Sequence, residues 1–532
     1  MKKTKWGLVY ILALAQFVMV LDSTVMNVSI SKVVSDLNTT VNSMQAAITF
    51  YTLTMAALML IGAKLCAKWG LVRAFIIGSI VYGIGSLITA FSQNITQLFL
   101  GWSVIEGLGA VLVIPAVAAL IAQNYKGNDR VKAFAVIGGI SGAAAAAGPL
   151  IGGFMTTYLS WRYVFFIETI VMIFVMLFAR NFKASSKKDT RPLDMLSAIL
   201  SALGMAMVVY GMLQSKIWGW IIPTSKPVIA GVEVAPLGIS VVAYLLIIGS
   251  ILIWLFYNRQ VRLEKANKNP LLQVSMLSIT HLRSGLSVLM SQYMITAAIF
   301  FVVPVYLQMV LGLDALQTGI KIFPLSVALI LASIAGTRLV TKRSPRQIVR
   351  IGQILLVLGS LFLLVSLDTE LKSATFAMSM FLVGAGLGLL ASQLGNINTS
   401  AVRDDQTNEV GGLQGTFQNL GSSLGTALVG SLVISTLTTG FLSSVSASSL
   451  PSNIKDKISQ TTTLSIVPSN KVESIAISKG ASPSDAKELA SIYEKEELDG
   501  LRLGIFFLVI ISVFSMLLSK ELPNVIPVTD RK

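Results

Sequence analysis

The sequence predicts an all-α membrane protein with fourteen transmembrane helices, and three observations carry that prediction. The 532-residue chain is 54% hydrophobic and only 12% charged, whereas a soluble domain is about 25% charged. Apolar runs of about 20 residues, each long enough to cross a ~30 Å hydrocarbon core, recur from end to end. In lipid every spanning segment must satisfy its own backbone hydrogen bonds, which makes each run a helix.

The runs fall at 7–30, 45–66, 72–92, 97–121, 132–156, 163–180, 194–214, 236–257, 284–311, 316–339, 348–367, 373–395, 410–437 and 501–519. Lys2, Lys3 and Lys5 precede the first of them and imitate a secretory signal. The run continues well past Ala13 and Ala15, so it reads as an uncleaved helix. Basic residues set the orientation. With the N-terminus in the cytoplasm, most of the 41 Lys and Arg residues lie inside, including Lys64, Lys126, Arg130, Lys183, Lys187, Lys188, Arg191, Lys342 and Arg346. Both termini of a multi-pass cell-membrane protein then lie in the cytoplasm, which agrees with the even count. The segment 258–283 reads as a cytoplasmic bridge lying partly on the membrane surface. The stretch 438–500 reads as a long extracellular loop with a short amphipathic helix at 484–498.

Composition narrows function as well. The +16 charge follows from residues flanking the spans, so it implies a lipid bilayer and no nucleic-acid partner. Cys66 and His281 stand alone, so neither a disulfide nor a His/Cys metal site is expected, and no clustering of carboxylates is visible. No Gly-rich phosphate loop occurs, so no metal or cofactor is expected and energy must come from a gradient. There is no serine–histidine set for a membrane enzyme and no soluble domain for a non-transporting sensor. The chain reads as a secondary transporter, not an enzyme.

Ionisable residues inside spans mark function by default. Of 25 acidic residues, Asp22, Glu106 and Glu168 fall well within spans, at similar depth about 9–14 Å below the outer interface. Three helices delivering acid to one level suggest a shared cavity in which carboxyl groups exchange protons, since low dielectric favours their neutral form. Arg162 is an alternative partner for Glu168 at the membrane edge. The stretch GGISGAAAAAGPLIGG (138–153) forms a helix with almost no side chain on one face, and Pro149 can kink it.

At these residues the chain resembles the major facilitator superfamily, and within it the fourteen-span drug:proton antiporters. GISGAAAAAGPLIGG followed by SWRYVFFIE resembles the antiporter motif, with Gly138, Gly142, Gly148, Pro149, Gly152 and Gly153 along it. LDSTVMNVSI (21–30), LGWSVIEGLGAVLVIPA (100–116), VPVYLQMVLGLDALQTGIKIFP (303–324) and QNLGSSLGTALVG (418–430) resemble further motifs of that family.

The resemblance implies two six-helix bundles with two helices inserted between them. It divides the chain into 1–192, a linker unit 193–283, and 284–532. It implies proton-coupled efflux of lipophilic cationic or neutral drugs by a monomer, with Asp22 in the family's carboxylate position. AKLCAKWGLVR (63–73) keeps Lys68, Gly70 and Arg73 of a cytoplasmic gate but carries Ala67 where the family has Asp. Ser103 stands where the family has Arg, and Glu106 where it has Gln, so Glu106 is expected to share the proton handling. Residues proposed for the cavity wall are Gln16, Asn27, Tyr51, Gln292, Tyr293, Phe417 and Gln418. Transport of an endogenous lipid, metabolite or osmolyte is the alternative within transporters.

Overall fold

The computed structural model describes residues 6–182, 192–229, 232–403, 406–459, 464 and 466–525. Among them are 14 helices long and apolar enough to cross a membrane, and the chain is an integral membrane protein. In chain order the spans are Gly7–Asp36, Val41–Trp69, Leu71–Ala90, Ile95–Asn124, Gly127–Tyr158, Arg162–Ala179, Met195–Trp218, Val241–Lys265, Thr280–Val310, Ala315–Leu339, Pro345–Ser366, Ser373–Ser400, Thr407–Ala447 and Pro483–Leu518. A short antiparallel ribbon, Val228–Ile229 with Val232–Glu233, lies in the loop after the seventh span. The basic residues Lys183, Lys187, Lys188 and Arg191 lie outside the described residues.

The spans sort into two six-helix bundles and an inserted pair. In the first bundle, the first span lies along the fifth and sixth, and the third packs on the fourth and sixth. Its core includes Leu12, Val18, Phe75, Val113, Leu120 and Met172. In the second bundle, the twelfth span lies between the tenth and eleventh, and the ninth and fourteenth pack on the thirteenth. Ile295, Val302, Leu325, Leu356, Val383 and Leu508 are among its core residues. The seventh and eighth spans pair with each other, and the seventh rests on the second and thirteenth. Arg259 joins the pair by donating to both oxygens of Asp194, each at 2.7 Å. That guanidinium holds the Asp194 carboxyl at about 2, so this tie is ionised through the neutral range.

Small residues let helices approach without a hydrophobic drive between them. A Cβ on Gly109 would lie 2.5 Å from the Tyr82 nitrogen, and one on Gly386 2.7 Å from the Gly352 oxygen. Boundaries follow capping. Asp314 and Ser344 each form a reciprocal capping box, with Gln317 and Gln347. Gly70 joins the second and third spans at φ +89°, a conformation that L side chains rarely adopt.

The bundles meet along two seams: the fifth span against the tenth and twelfth, and the second and fourth against the thirteenth. Both seams are tied near the face that carries the chain ends. Buried Lys64 reaches Glu409 at 3.8 Å and donates to the Asn269 side chain at 2.8 Å. Glu409 also accepts from the Gln273 backbone at 2.7 Å. Across the other seam, Arg130 donates to Asn396 at 3.1 Å and to Ser400 at 2.7 Å.

Three expectations meet the structure here. The Lys68 and Arg73 side chains are exposed, and neither has an ion pair among the described residues. With no acid at position 67, it is Lys64, one helical turn earlier, that faces the other bundle. The segment 258–283 does not stand clear of the bundles. Leu271, Leu272, Val274 and Met276 are buried against Leu60, Val410 and Leu413, and Gln260 accepts from the Leu271 nitrogen at 2.7 Å.

The helix expected at 484–498 is not separate either: it is the first half of the fourteenth span. The thirteenth span likewise runs on to Ala447. Outside the lipid these extensions are held by a core of Leu437, Phe441, Val445, Leu450, Leu489 and Tyr493, with the short helices Ser452–Ser459 and Ser469–Ser478 between them. Hydropathy marks only the part of such a helix that lies in oil.

Two outcomes follow from this packing. Gly70→Ala introduces backbone strain of about 1–3 kcal/mol and lowers the thermal denaturation midpoint of the solubilised protein; an unchanged midpoint contradicts the strained turn. Lys64→Met leaves Glu409 buried without its cation and loosens the second seam. In a Cys66→Ser, Met59→Cys background, a membrane-impermeant maleimide then labels the introduced thiol faster from the terminal face. Unchanged labelling means that the pair does not hold the seam.

Candidate functional site

The three intramembrane acids converge. Asp22 on the first span, Glu106 on the fourth and Glu168 on the sixth are each at most 1% exposed. One carboxyl oxygen from each lies within 4.8 Å of the other two. Carboxylates therefore do cluster, contrary to the reading from sequence, because they come from helices far apart in the chain.

Local structure of the fourth span builds this site. Residues Phe99–Glu106 form a π-helix, a wider turn that often marks functional positions. It presents Trp102 and Glu106 one turn apart on the inner side. The Trp102 indole N–H donates to both oxygens of Asp22 at 2.9 Å. The Tyr51 ring stacks on the indole with centroids 5.0 Å apart and planes 7° from parallel. Ser103 donates to the Ala47 carbonyl at 2.7 Å, tying the wide turn to the second span. Gly85 allows the third span to close behind, since a Cβ there would lie 2.6 Å from the Glu106 nitrogen.

The electrostatics are unbalanced. Among the described residues, the Glu106 and Glu168 oxygens and the buried Tyr82 hydroxyl make no well-aligned hydrogen bond, although the Tyr82 and Ser86 hydroxyls lie within reach of Glu106 and those of Tyr51 and Tyr82 within reach of Asp22. No described lysine or arginine pairs with the trio. Arg162, the alternative partner for Glu168, turns away to Asp36 at 3.5 Å and to the Ser92 carbonyl at 2.9 Å. At an effective dielectric of about 20, two unit charges at this separation repel by about 3 kcal/mol. Desolvation adds several kcal/mol per uncompensated ion.

The second feature is a cleft between the bundles, lined from the first, fourth, fifth, ninth, tenth, twelfth and thirteenth spans. Gln16, Gln292, Tyr293 and Gln418 line it, as expected. Tyr51 does not: it belongs to the acid site. Phe417 packs instead near Leu60 and Leu413. The Asn27 backbone is helical, but its side chain lies outside what is described. The sequence reading missed Trp102 and Tyr82 at the acids, and Gln414, Ser141 and Thr296 in the cleft. Helical spacing held the signal for several of these. Trp102 precedes Glu106 by four residues, Gln414 precedes Gln418 by four, and Gln292 precedes Thr296 by four.

None of the acids lines the cleft. The reason is helix geometry. Val20 faces the cleft, and Asp22 lies about 200° further round the first span, at about 100° per residue.

The glycine motif is divided in the same way. Gly138 and Gly142 line the cleft and touch Ala391 and Leu329 of the second bundle, while Gly148 and Gly152 press on Thr24 and Val25 of the first span. Pro149 lies inside the fifth span and Gly153 is buried.

Comparison with known proteins agrees with this architecture. The sequence pattern described as Major Facilitator Superfamily matches residues 12–222 and 200–426. The puromycin resistance protein pur8 of Streptomyces alboniger is 28% identical over 431 residues, covering 80% of each chain. The lincomycin resistance protein LmrB of Listeria monocytogenes is 26% identical over 419 residues, covering 78% of this chain and 83% of its own. Among solved structures, a bacterial homologue of the human lysosomal transporter Spinster, in an inward-facing and unoccupied conformation, superposes with a TM-score of 0.57 at 14% identity. It covers 98% of both chains. The proton:xylose symporter XylE gives 0.54 at 12% identity, covering 96% of this chain and 94% of its own. At such identities the structures speak for the fold alone. With its matched pattern, its two six-helix bundles and its inserted pair, the chain belongs to the Major Facilitator Superfamily, a family of transporters rather than enzymes.

Proposed function

We propose that this protein exports lipophilic cationic or neutral small molecules in exchange for protons. It works as a monomer in the cell membrane, with both termini in the cytoplasm. The observation that carries the reading is the buried trio of Asp22, Glu106 and Glu168, which no described basic residue balances. Such a group is neutralised by a mobile ion or not at all, and a proton is the smallest ion that fits. Relatives named for resistance to puromycin and lincomycin support drug export.

In this mechanism residues 1–192 and 284–532 rock as two halves about the cleft, with 193–283 as the linker. Superfamily carriers alternate access in this way. A proton from outside reaches the trio and relieves its repulsion. The first span then shifts, because Asp22 sits on one of its faces and Gln16 and Val20 on another. Gly148 and Gly152 pass the shift to the fifth span, whose Gly138 and Gly142 bear on the second bundle. Release of the Lys64–Glu409 and Arg130–Asn396 ties opens the inner side, and Gly70 provides the turn about which the second and third spans move. One proton moving down 100 mV supplies about 2.3 kcal/mol, enough to sustain a gradient of tens-fold.

The test is amide replacement. Asp22→Asn and Glu106→Gln each lower efflux driven by an imposed pH difference by at least about tenfold in proteoliposomes, while drug exchange without a gradient persists. Wild-type rates in both variants end the proton assignment. The trio's spacing also fits a metal cation, and efflux driven by a sodium gradient at zero pH difference would identify sodium as the coupling ion.

A further inference from the structure

The cleft carries no charged side chain among the described residues that line it. Its polar groups are Gln16, Gln292, Gln414 and Gln418, with the hydroxyls of Ser141, Thr296 and Tyr293. The Ser141 and Thr296 donors are used within their own helices, on the carbonyls of Ile137 and Gln292, each at 2.8 Å. Gln414 gives one N–H to the Gly395 carbonyl at 3.4 Å. The side-chain oxygen of Gln292, a residue only 8% exposed, has no partner among the described residues. A buried acceptor without a donor costs about 1–3 kcal/mol, recovered when a ligand supplies the donor.

A permanent cation finds little here. It loses its hydration, at several kcal/mol, and meets no opposite charge, since the acids face the far side of the first span. The Tyr293 and Phe300 rings each offer about 2 kcal/mol of cation–π attraction once desolvated, which offsets only part of a loss that no carboxylate in the lining repays. An uncharged molecule avoids the penalty, packs its apolar body against Phe134, Phe300 and Leu329, and pairs its amide or hydroxyl groups with the glutamines.

We infer that this cleft selects uncharged, hydrogen-bonding amphiphiles over permanent lipophilic cations. The inference rests on the export reading above and narrows its substrate class. It carries a mechanistic consequence: a neutral molecule leaving against an entering proton moves net charge, so the membrane potential alone drives export.

Two probes of similar bulk separate the cases: triphenylacetamide, neutral with an amide donor and acceptor, and methyltriphenylphosphonium, a permanent cation. Binding is measured by calorimetry on the purified wild-type protein in detergent. The amide binds at least about tenfold more tightly, and Gln292→Leu removes most of that preference. Phosphonium binding that equals or exceeds that of the amide overturns the inference, as does absence of amide binding. No gradient is present, so the result does not depend on proton coupling. If the amide replacements leave efflux unchanged while this selectivity holds, only the coupling assignment is lost.

Discussion

Three carboxyl groups within 4.8 Å of one another, deep in an apolar bundle and without a described basic neighbour, are the constraint on which the other features turn. Protein interiors tolerate buried ions when a partner or several hydrogen bonds compensate them. Among the described residues the well-aligned donor is the Trp102 indole on Asp22, with the neutral hydroxyls of Tyr51, Tyr82 and Ser86 within reach of Asp22 or Glu106 and no cation beside them. Under the proposed exchange, an ion that comes and goes supplies what the fold leaves open. The wide turn at Phe99–Glu106 and the glycines behind it serve to bring the acids together.

The acids and the cleft are separated by the thickness of one helix. Under the proposed exchange, proton and cargo do not compete for the same atoms, and coupling runs through rotation or tilt of the first span. The fifth span suits this role because its small residues face two ways: Gly148 and Gly152 toward the first span, Gly138 and Gly142 toward the second bundle. Side chains there would fix one packing. Glycine allows the surfaces to slide, and the polar ties at the terminal face, Lys64 with Glu409 and Arg130 with Asn396, are few enough to break.

Much of this was legible in the chain. Each run that hydropathy marked falls largely within a helix of the structure, because the bilayer imposes length and helicity on every one of them. Asp22, Glu106 and Glu168 stood out because charge in a span is costly, and their common depth followed from helical rise. What stayed hidden depends on rotation and on partners. Whether Asp22 faces the cleft or the bundle interior turns on about 200° of helix from Val20, and the apolar surroundings do not reveal it. Tyr51 looked like a cavity residue because an aromatic in a span reads alike against a drug or against Trp102. The Lys64 contact stayed hidden because Glu409, its partner, lies in a different bundle. The outer halves of the last two spans escaped because their core forms in water.

The most direct measurement is of proton movement itself. Purified protein in vesicles with trapped pyranine, at equal pH on both sides, receives a drug gradient. Drug flow in the wild type drives protons the opposite way. The triple variant Asp22→Asn, Glu106→Gln, Glu168→Gln passes drug without moving protons. Proton movement that persists in that variant, or drug flow without protons in the wild type, would contradict a coupling site at the three acids.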